Sequence, residues 1–152
     1  MPNWCSNTLH SSDERVIEVF QKLAHKQEQS GFGETFDWFK DDRYLFHIDV
    51  YGDYVHFETK WSPAINTAKN LAKVFKTEVI LDYDEPGMCM YGKFIFNGEE
   101  SKHYNISTQD CASIEWDEDT GLYIYNGQEY DSDSVIKEEI LEKIIQQSIL
   151  ND

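Results

Sequence analysis

Apolar positions along this chain follow two periods, and the alternation between them lays out the fold. Residues 3–10 (Asn-Trp-Cys-Ser-Asn-Thr-Leu-His) alternate loosely between larger and polar side chains and read as a first strand. Ser11-Ser12-Asp13-Glu14 offers a capping box with Ser11 as cap. Val16, Ile17, Phe20, Leu23 and Ala24 then form one stripe at helical spacing, predicting a helix over 12–28 that ends at Gly31-Phe32-Gly33. The period shortens to two in Phe46, Ile48 and Val50, set against His47 and Asp49. After Gly52-Asp53 a return strand follows, with Val55, Phe57, Thr59 and Trp61 on one face. Ser62-Pro63 reads as a helix start, with Ser62 the cap and Pro63 the first helical residue, where a missing N–H costs nothing. Ile65, Ala68, Leu71, Ala72 and Phe75 are its apolar stripe, with Lys69, Lys73 and Lys76 on the exposed side. Residues 77–83 predict one more strand.

That order, β-α-β-β-α-β, is the split pattern of ferredoxin-like folds: two helices over one face of a four-stranded antiparallel sheet. The chain then turns at Asp84-Glu85-Pro86-Gly87 and becomes a meander. Strands are predicted at 90–97 and 102–107 about Asn97-Gly98, and at 114–116 and 122–125 about Asp117–Gly121. Asn126-Gly127 leads into a strand at 128–130, and Asp131-Ser132-Asp133-Ser134 caps a last helix at 134–149. The fold class expected is α+β, with a ferredoxin-like core over 1–98. An acidic β-rich extension with a C-terminal helix occupies 99–152 and packs with the core as one unit. The final helix carries a wide stripe (Val135, Ile136, Ile140, Leu141, Ile144, Ile145, Ile149). It is expected to pack on the added strands, with a homodimer contact as its second use.

Charge changes this picture more than composition does. Residues 1–81 hold 12 acids against 9 Lys/Arg, a balance of −3; residues 82–152 hold 17 against 4, a balance of −13. A surface so acidic repels phosphate backbones, so direct nucleic-acid binding is not expected. It suits a partner protein with a basic surface. Three cysteines, Cys5, Cys89 and Cys111, stand far apart with no CxxC, which predicts reduced thiols and a cytoplasmic setting. No apolar run approaches the ~18–20 residues of a membrane span, and the N-terminus has no signal-peptide pattern.

Three motifs carry a resemblance. Met1-Pro2-Asn3-Trp4-Cys5-Ser6-Asn7, Phe57-Glu58-Thr59-Lys60-Trp61-Ser62-Pro63 and Tyr83-Asp84-Glu85-Pro86-Gly87-Met88, in that order, resemble the YubB-like family of ferredoxin-like proteins borne by phages and plasmids. The resemblance covers about residues 1–95. It implies a ferredoxin-like fold, a mobile-element origin and cytoplasmic residence, and it brings no catalytic residue with it.

Candidate chemistry is sparse. Asp82, Asp84 and Glu85 beside the turn, with Glu58 or His56 if the strands adjoin, are the carboxylates that could hold a metal or move a proton. Acids before Pro-Gly equally suit the backbone of a turn. The five histidines show no HxH or HExxH spacing, and there is no GxSxG, P-loop or GxGxxG. Aromatics at 36, 38 and 39 are expected to fold back on the core. Trp61, Asp84, Glu85, Met88 and Met90 are candidates for a small-ligand pocket, although soft side chains also plug irregular cores. Glu115, Asp117, Glu118, Asp119, Glu129, Asp131 and Asp133 are the candidate partner-binding surface. The function expected is a non-enzymatic, protein-binding accessory protein of a phage or other mobile element, a counter-defence or host-takeover inhibitor whose acidic face imitates nucleic acid. No cofactor or metal is expected. The alternative is a small metal-dependent enzyme or ligand-binding protein with its site near Asp84–Met90.

Overall fold

Burial alternates along the first strand, Cys5, Asn7 and Leu9 inward and Ser6, Thr8 and His10 outward, and this two-residue period decides which face of the sheet is covered. The computed structural model describes residues 2–38 and 43–151; Phe39, Asp41 and Asp42 lie outside them. Two compact units are present, Met1–His103 and Tyr104–Asp152.

The first unit runs β1 (Trp4–His10), α1 (Glu14–Ser30), β2 (Phe46–Val50), β3 (Tyr54–Lys60), α2 (Ile65–Phe75), β4 (Val79–Glu85), β5 (Met90–Phe96) and β6 (Ser101–Asn105), whose last two residues fall in the second unit. The sheet order is β2-β3-β1-β4-β5-β6, with the pairs from β2 to β5 antiparallel. Antiparallel sheet plus helices makes the chain α+β. Val16, Ile17, Phe20 and Leu23 of α1 and Ala68, Leu71 and Ala72 of α2 join Leu9, Val55, Phe57, Val79, Leu81, Phe94 and Phe96 of the strands in one core. Phe20 stacks on Phe57 with ring centroids 5.2–5.4 Å from its neighbours Phe36 and Phe57. Phe36 folds back into that core as expected, while Trp38 is 44% exposed.

The caps expected for the first two helices are both corrected. Asp13, not Ser11, caps α1: its Oδ1 accepts from the Arg15 amide at 2.9 Å, and Ser11 Oγ accepts from the Asp13 amide one step earlier. Gly31, at φ 74°, closes the other end by donating to the Gln27 carbonyl at 2.8 Å, a left-handed conformation glycine adopts without steric cost. Ser62 does not cap α2. The helix starts at Ile65, and the Ala64 amide donates to Oδ1 of Asn7, on β1, at 3.0 Å. The same Asn7 donates through Nδ2 to the Cys5 carbonyl at 3.1 Å and to Thr59 Oγ1 at 2.9 Å; Thr59 Oγ1 donates in turn to the Ser62 carbonyl at 2.7 Å. Asn7 and Thr59 are both wholly buried. A residue from the first strand thus terminates the third and begins the second helix. Trp61 falls just past β3 at φ 73° and is 51% exposed, so it does not share the inward face of Val55, Phe57 and Thr59.

β2 departs from plain alternation. Its register with β3 shifts between Phe46 and Asp49, and His47 takes φ 50°. The Ile48 amide freed by this bulge donates to Gln27 Oε1 at 3.0 Å, and Gln27 Nε2 donates to the Leu45 carbonyl at 2.8 Å. One glutamine of α1 therefore satisfies the Ile48 amide that the ladder leaves over and adds a second donor to the Leu45 carbonyl, which also accepts from the Glu34 amide at 3.0 Å.

The second unit holds α3 (Thr108–Ala112), a three-stranded sheet of β7 (Glu115–Asp117), β8 (Leu122–Tyr125) and β9 (Gln128–Tyr130), and α4 (Asp133–Asn151). The short α3 was not expected; Ser107 and Asp110 form its reciprocal capping box. Asn126 and Gly127 both have positive φ, 50° and 75°, as a two-residue hairpin turn of the I′ kind needs. On α4, Ile136, Ile140 and Leu141 are buried while Val135, Ile149 and Leu150 are at least 50% exposed, so the expected stripe is covered only in part. Of the cysteines, Cys5 is free and wholly buried.

Replacing Asn7 by alanine strips partners from the Ala64 amide and Thr59 hydroxyl at once. An unsatisfied buried polar group costs ~1–3 kcal/mol, so Asn7→Ala is expected to lose roughly 2–4 kcal/mol in chemical denaturation. Thr8→Ala on the opposite face should change stability by less than about 1 kcal/mol. Equal effects from the two would contradict the role given to Asn7.

Candidate functional site

The three sequence motifs meet at one end of the first unit's sheet. The Trp61 amide donates to the Asn3 carbonyl at 2.7 Å, joining the first motif to the second. Gly87 of the third motif lies so close to Asn3 that a Cβ there would sit 2.7 Å from Asn3 Nδ2. Arg43 crosses the same corner, donating to Ser62 Oγ at 2.6 Å, to the Pro63 carbonyl at 3.2 Å and to the Lys60 carbonyl.

The turn itself is built by Glu85. This carboxylate is 1% exposed, and its two oxygens accept from the Gly87 amide at 2.9 Å and the Met88 amide at 2.8 Å. Both are occupied in holding the Pro86-Gly87 bend, the use a turn makes of an acid with a short reach to its own backbone. Of the other ligand-pocket candidates, Asp84 faces the opposite side of the sheet from Glu85, Met88 is 54% exposed, and Met90 begins β5. Cys5, wholly buried beside this turn, has its thiol pushed up to about 12, first by burial and then by the negative charge of Glu85. It is a packed thiol rather than a reactive one.

The sheet face opposite the helices carries polar ranks that sequence reasoning did not assemble. The registers set Asp49, His56, Thr8, Asp82 and Lys93 side by side across β2, β3, β1, β4 and β5, with Phe46, Glu58, Ser6, Asp84 and Tyr91 as the next rank. Asp82 pairs with His10 at 3.2 Å and Lys93 at 3.6 Å; His47 pairs with Glu58 at 3.3 Å; Thr8 Oγ1 lies 3.3 Å from His56 Nδ1. Asp82 and Asp84 thus share this face, and Glu85 points away from both. Among the described residues no group of three or more His, Cys, Asp or Glu side chains is placed to hold a metal ion.

The family model for a ferredoxin-like domain in Api92-like proteins matches residues 38–126, more than half of the chain. The chain belongs to this family. No curated protein and no solved structure matches it significantly. The family's ferredoxin-like domain, as matched, runs from ahead of β2 to just past β8, and so takes in most of the acidic candidates but neither β1 nor α1. No described helix is long and apolar enough to cross a membrane.

The strands β7–β9, of which only β7 and β8 fall in the matched span, sort the acidic candidates. Glu115, Ile124 and Glu129 occupy one cross-strand rank, so two exposed carboxylates flank an apolar residue; Trp116, Tyr123 and Tyr130 form the rank on the other face. Glu118 and Asp119 are exposed in the hairpin loop and Asp131 is exposed after β9. Two of the seven have structural duties: Asp117 Oδ1 accepts from the Asp119 amide at 3.0 Å, and Asp133 pairs with Lys137 at 3.5 Å in the first turn of α4.

Glu85→Gln replaces one of two charged acceptors with a donor facing an amide. It is expected to destabilise the protein by about 1–3 kcal/mol in thermal or chemical unfolding. Met88→Ala, at an exposed position, should cost less than about 0.5 kcal/mol. An unchanged midpoint for Glu85→Gln would show that the carboxylate does not hold the turn.

Proposed function

We propose that this chain is a non-enzymatic binding protein that engages a partner with a basic surface through the acidic sheet of its second unit. The observation that carries the reading is charge segregation. Between Lys102 and Lys137 there is no lysine or arginine, while eight Asp and Glu fall in the same stretch. Five of them, Glu115, Glu118, Asp119, Glu129 and Asp131, are exposed. With no internal cation nearby in sequence to pair with, this field is left for solvent ions or an incoming cationic surface, which it accelerates and orients.

The motif resemblance to the YubB-like family supports a finer version. In it the chain is a cytoplasmic accessory protein of a phage or other mobile element, and its carboxylates take the place of phosphates in the groove of a host or defence protein. The βαββαβ order of the first six elements with sheet order β2-β3-β1-β4 supports assigning the ferredoxin-like core to them, with β5 and everything after it as additions. A homodimer through the exposed apolar residues of α4 remains a subsidiary proposal. The alternative of a metal-dependent or ligand-binding site at the turn is less favoured, because both oxygens of Glu85 are already engaged by the turn's own amides.

The experiment compares the protein with a charge-reversed form, Glu115→Lys/Glu118→Lys/Asp119→Lys/Glu129→Lys, as baits in host lysate across low and moderate salt. The native bait is expected to retain a basic protein whose recovery falls as salt rises, and the reversed bait to lose it at least tenfold. Equal retention by both baits, or no salt-sensitive partner, would overturn the proposal.

A further inference from the structure

One face of the β7–β9 sheet is striped. The registers set Glu115 of β7 beside Ile124 of β8, and Ile124 beside Glu129 of β9; in the next rank Asp117 stands beside Leu122. Residues two apart on a strand share a face, so Leu122 and Ile124 form a short apolar column along β8. Carboxylates border it on both sides, Glu115 and Asp117 on β7 and Glu129 on β9, with Asp131 directly after the end of β9. Leu122 and Ile124 are half-buried, while Glu115, Glu129 and Asp131 are exposed.

The two faces of this sheet differ in what holds them. Trp116, Tyr123 and Tyr130 lie on the other face, where the Tyr130 hydroxyl donates to Glu139 Oε2 of α4 at 3.1 Å. It is this aromatic face that is tied to the helix. Among the described residues, the one hydrogen bond made by a side chain of the striped face is local, from the Asp119 amide to Asp117 Oδ1 at 3.0 Å. No described lysine or arginine forms an ion pair with Glu115, Asp117 or Glu129.

We infer, on the footing that the acidic sheet engages a basic protein, that the striped face docks an α-helical segment of that protein whose apolar stripe is flanked on both sides by Lys or Arg. Adjacent strands lie about 4.8 Å apart, so the carboxylate rows of β7 and β9 stand roughly 9.6 Å apart at the backbone. A helix with its side chains is about 10–12 Å across. It can seat apolar residues on Leu122 and Ile124 and reach both rows at once. Its cations extend over the rows on apolar stems that cover more of the column. An extended strand turns a single column of side chains toward the sheet, so it covers the apolar column or reaches one row, not both. The contact is short: the four residues of β8 span about 13 Å, which roughly nine helical residues cross.

The test titrates the full chain with three labelled peptides of about 18 residues, five helical turns, at low and moderate salt. The first peptide sets a leucine stripe between lysines. The second holds the same residues in an order that breaks the stripe, and the third replaces the leucines by glutamine. The first is expected to bind at least tenfold more tightly than either of the others, with amide shifts centred on Glu115 and Leu122–Tyr125. Glu115→Gln/Glu129→Gln, at exposed positions, should weaken it threefold or more without moving the unfolding midpoint, and Ile124→Ser should weaken it by as much. Unaltered binding by the Glu115→Gln/Glu129→Gln protein would overturn the inference. So would shifts confined to β7 or β9, the mark of a strand added at an edge. Equal, salt-sensitive binding of all three peptides would remove the helix while leaving the acidic surface as a binding face. Absence of binding by every cationic peptide would overturn both.

Discussion

Much of the first unit depends on one buried amide, Asn7. It leaves β1 and reaches the end of β3 through Thr59 and the start of α2 through Ala64. A wholly buried polar side chain is tolerable only when its donors and acceptors are matched, and a matched one specifies geometry more tightly than an apolar residue of similar size. Because Asn7 Oδ1 accepts from the amide of Ala64, the residue just ahead of the helix, α2 starts at a fixed point above the sheet. Trp61, in the loop between β3 and α2, takes a positive φ of 73°.

This constraint also explains why three separated motifs gather at one end. Asn3 receives the Trp61 amide and packs against Gly87, while Glu85 folds the third motif onto itself. Arg43 and Lys60 come to the same corner because the loop carbonyls there accept from the Arg43 guanidinium. Structural demand accounts for the turn's acid, which at first sight suggested chemistry.

Much of this was legible in the residues. The 3.6- and 2-residue periods placed both helices of the first unit, and the Asn-Gly pairs placed the hairpins, because these signals are local. The family that the chain belongs to carries a ferredoxin-like domain, as the element order suggested. What escaped was long-range. Asn7 lies 57 residues from the amide that it caps, so Ser62 beside Pro63 looked like the better cap. The β2 bulge escaped because Gln27, which makes it affordable, belongs to α1. The polar ranks of the open sheet face needed a register that no single strand encodes. The acidic set was visible as composition, but only the β7–β9 registers separate Glu115 and Glu129, side by side about Ile124, from Asp117, which closes its own loop.

Native-state hydrogen exchange of the Ala64 amide tests the central claim most directly. If Asn7 Oδ1 caps α2 from within the core, this amide exchanges only when the first unit opens, with an opening free energy close to that of the core strands. Exchange at the rate of the exposed Gly52 amide, or an Ala64 rate unchanged in Asn7→Ala, would contradict the account.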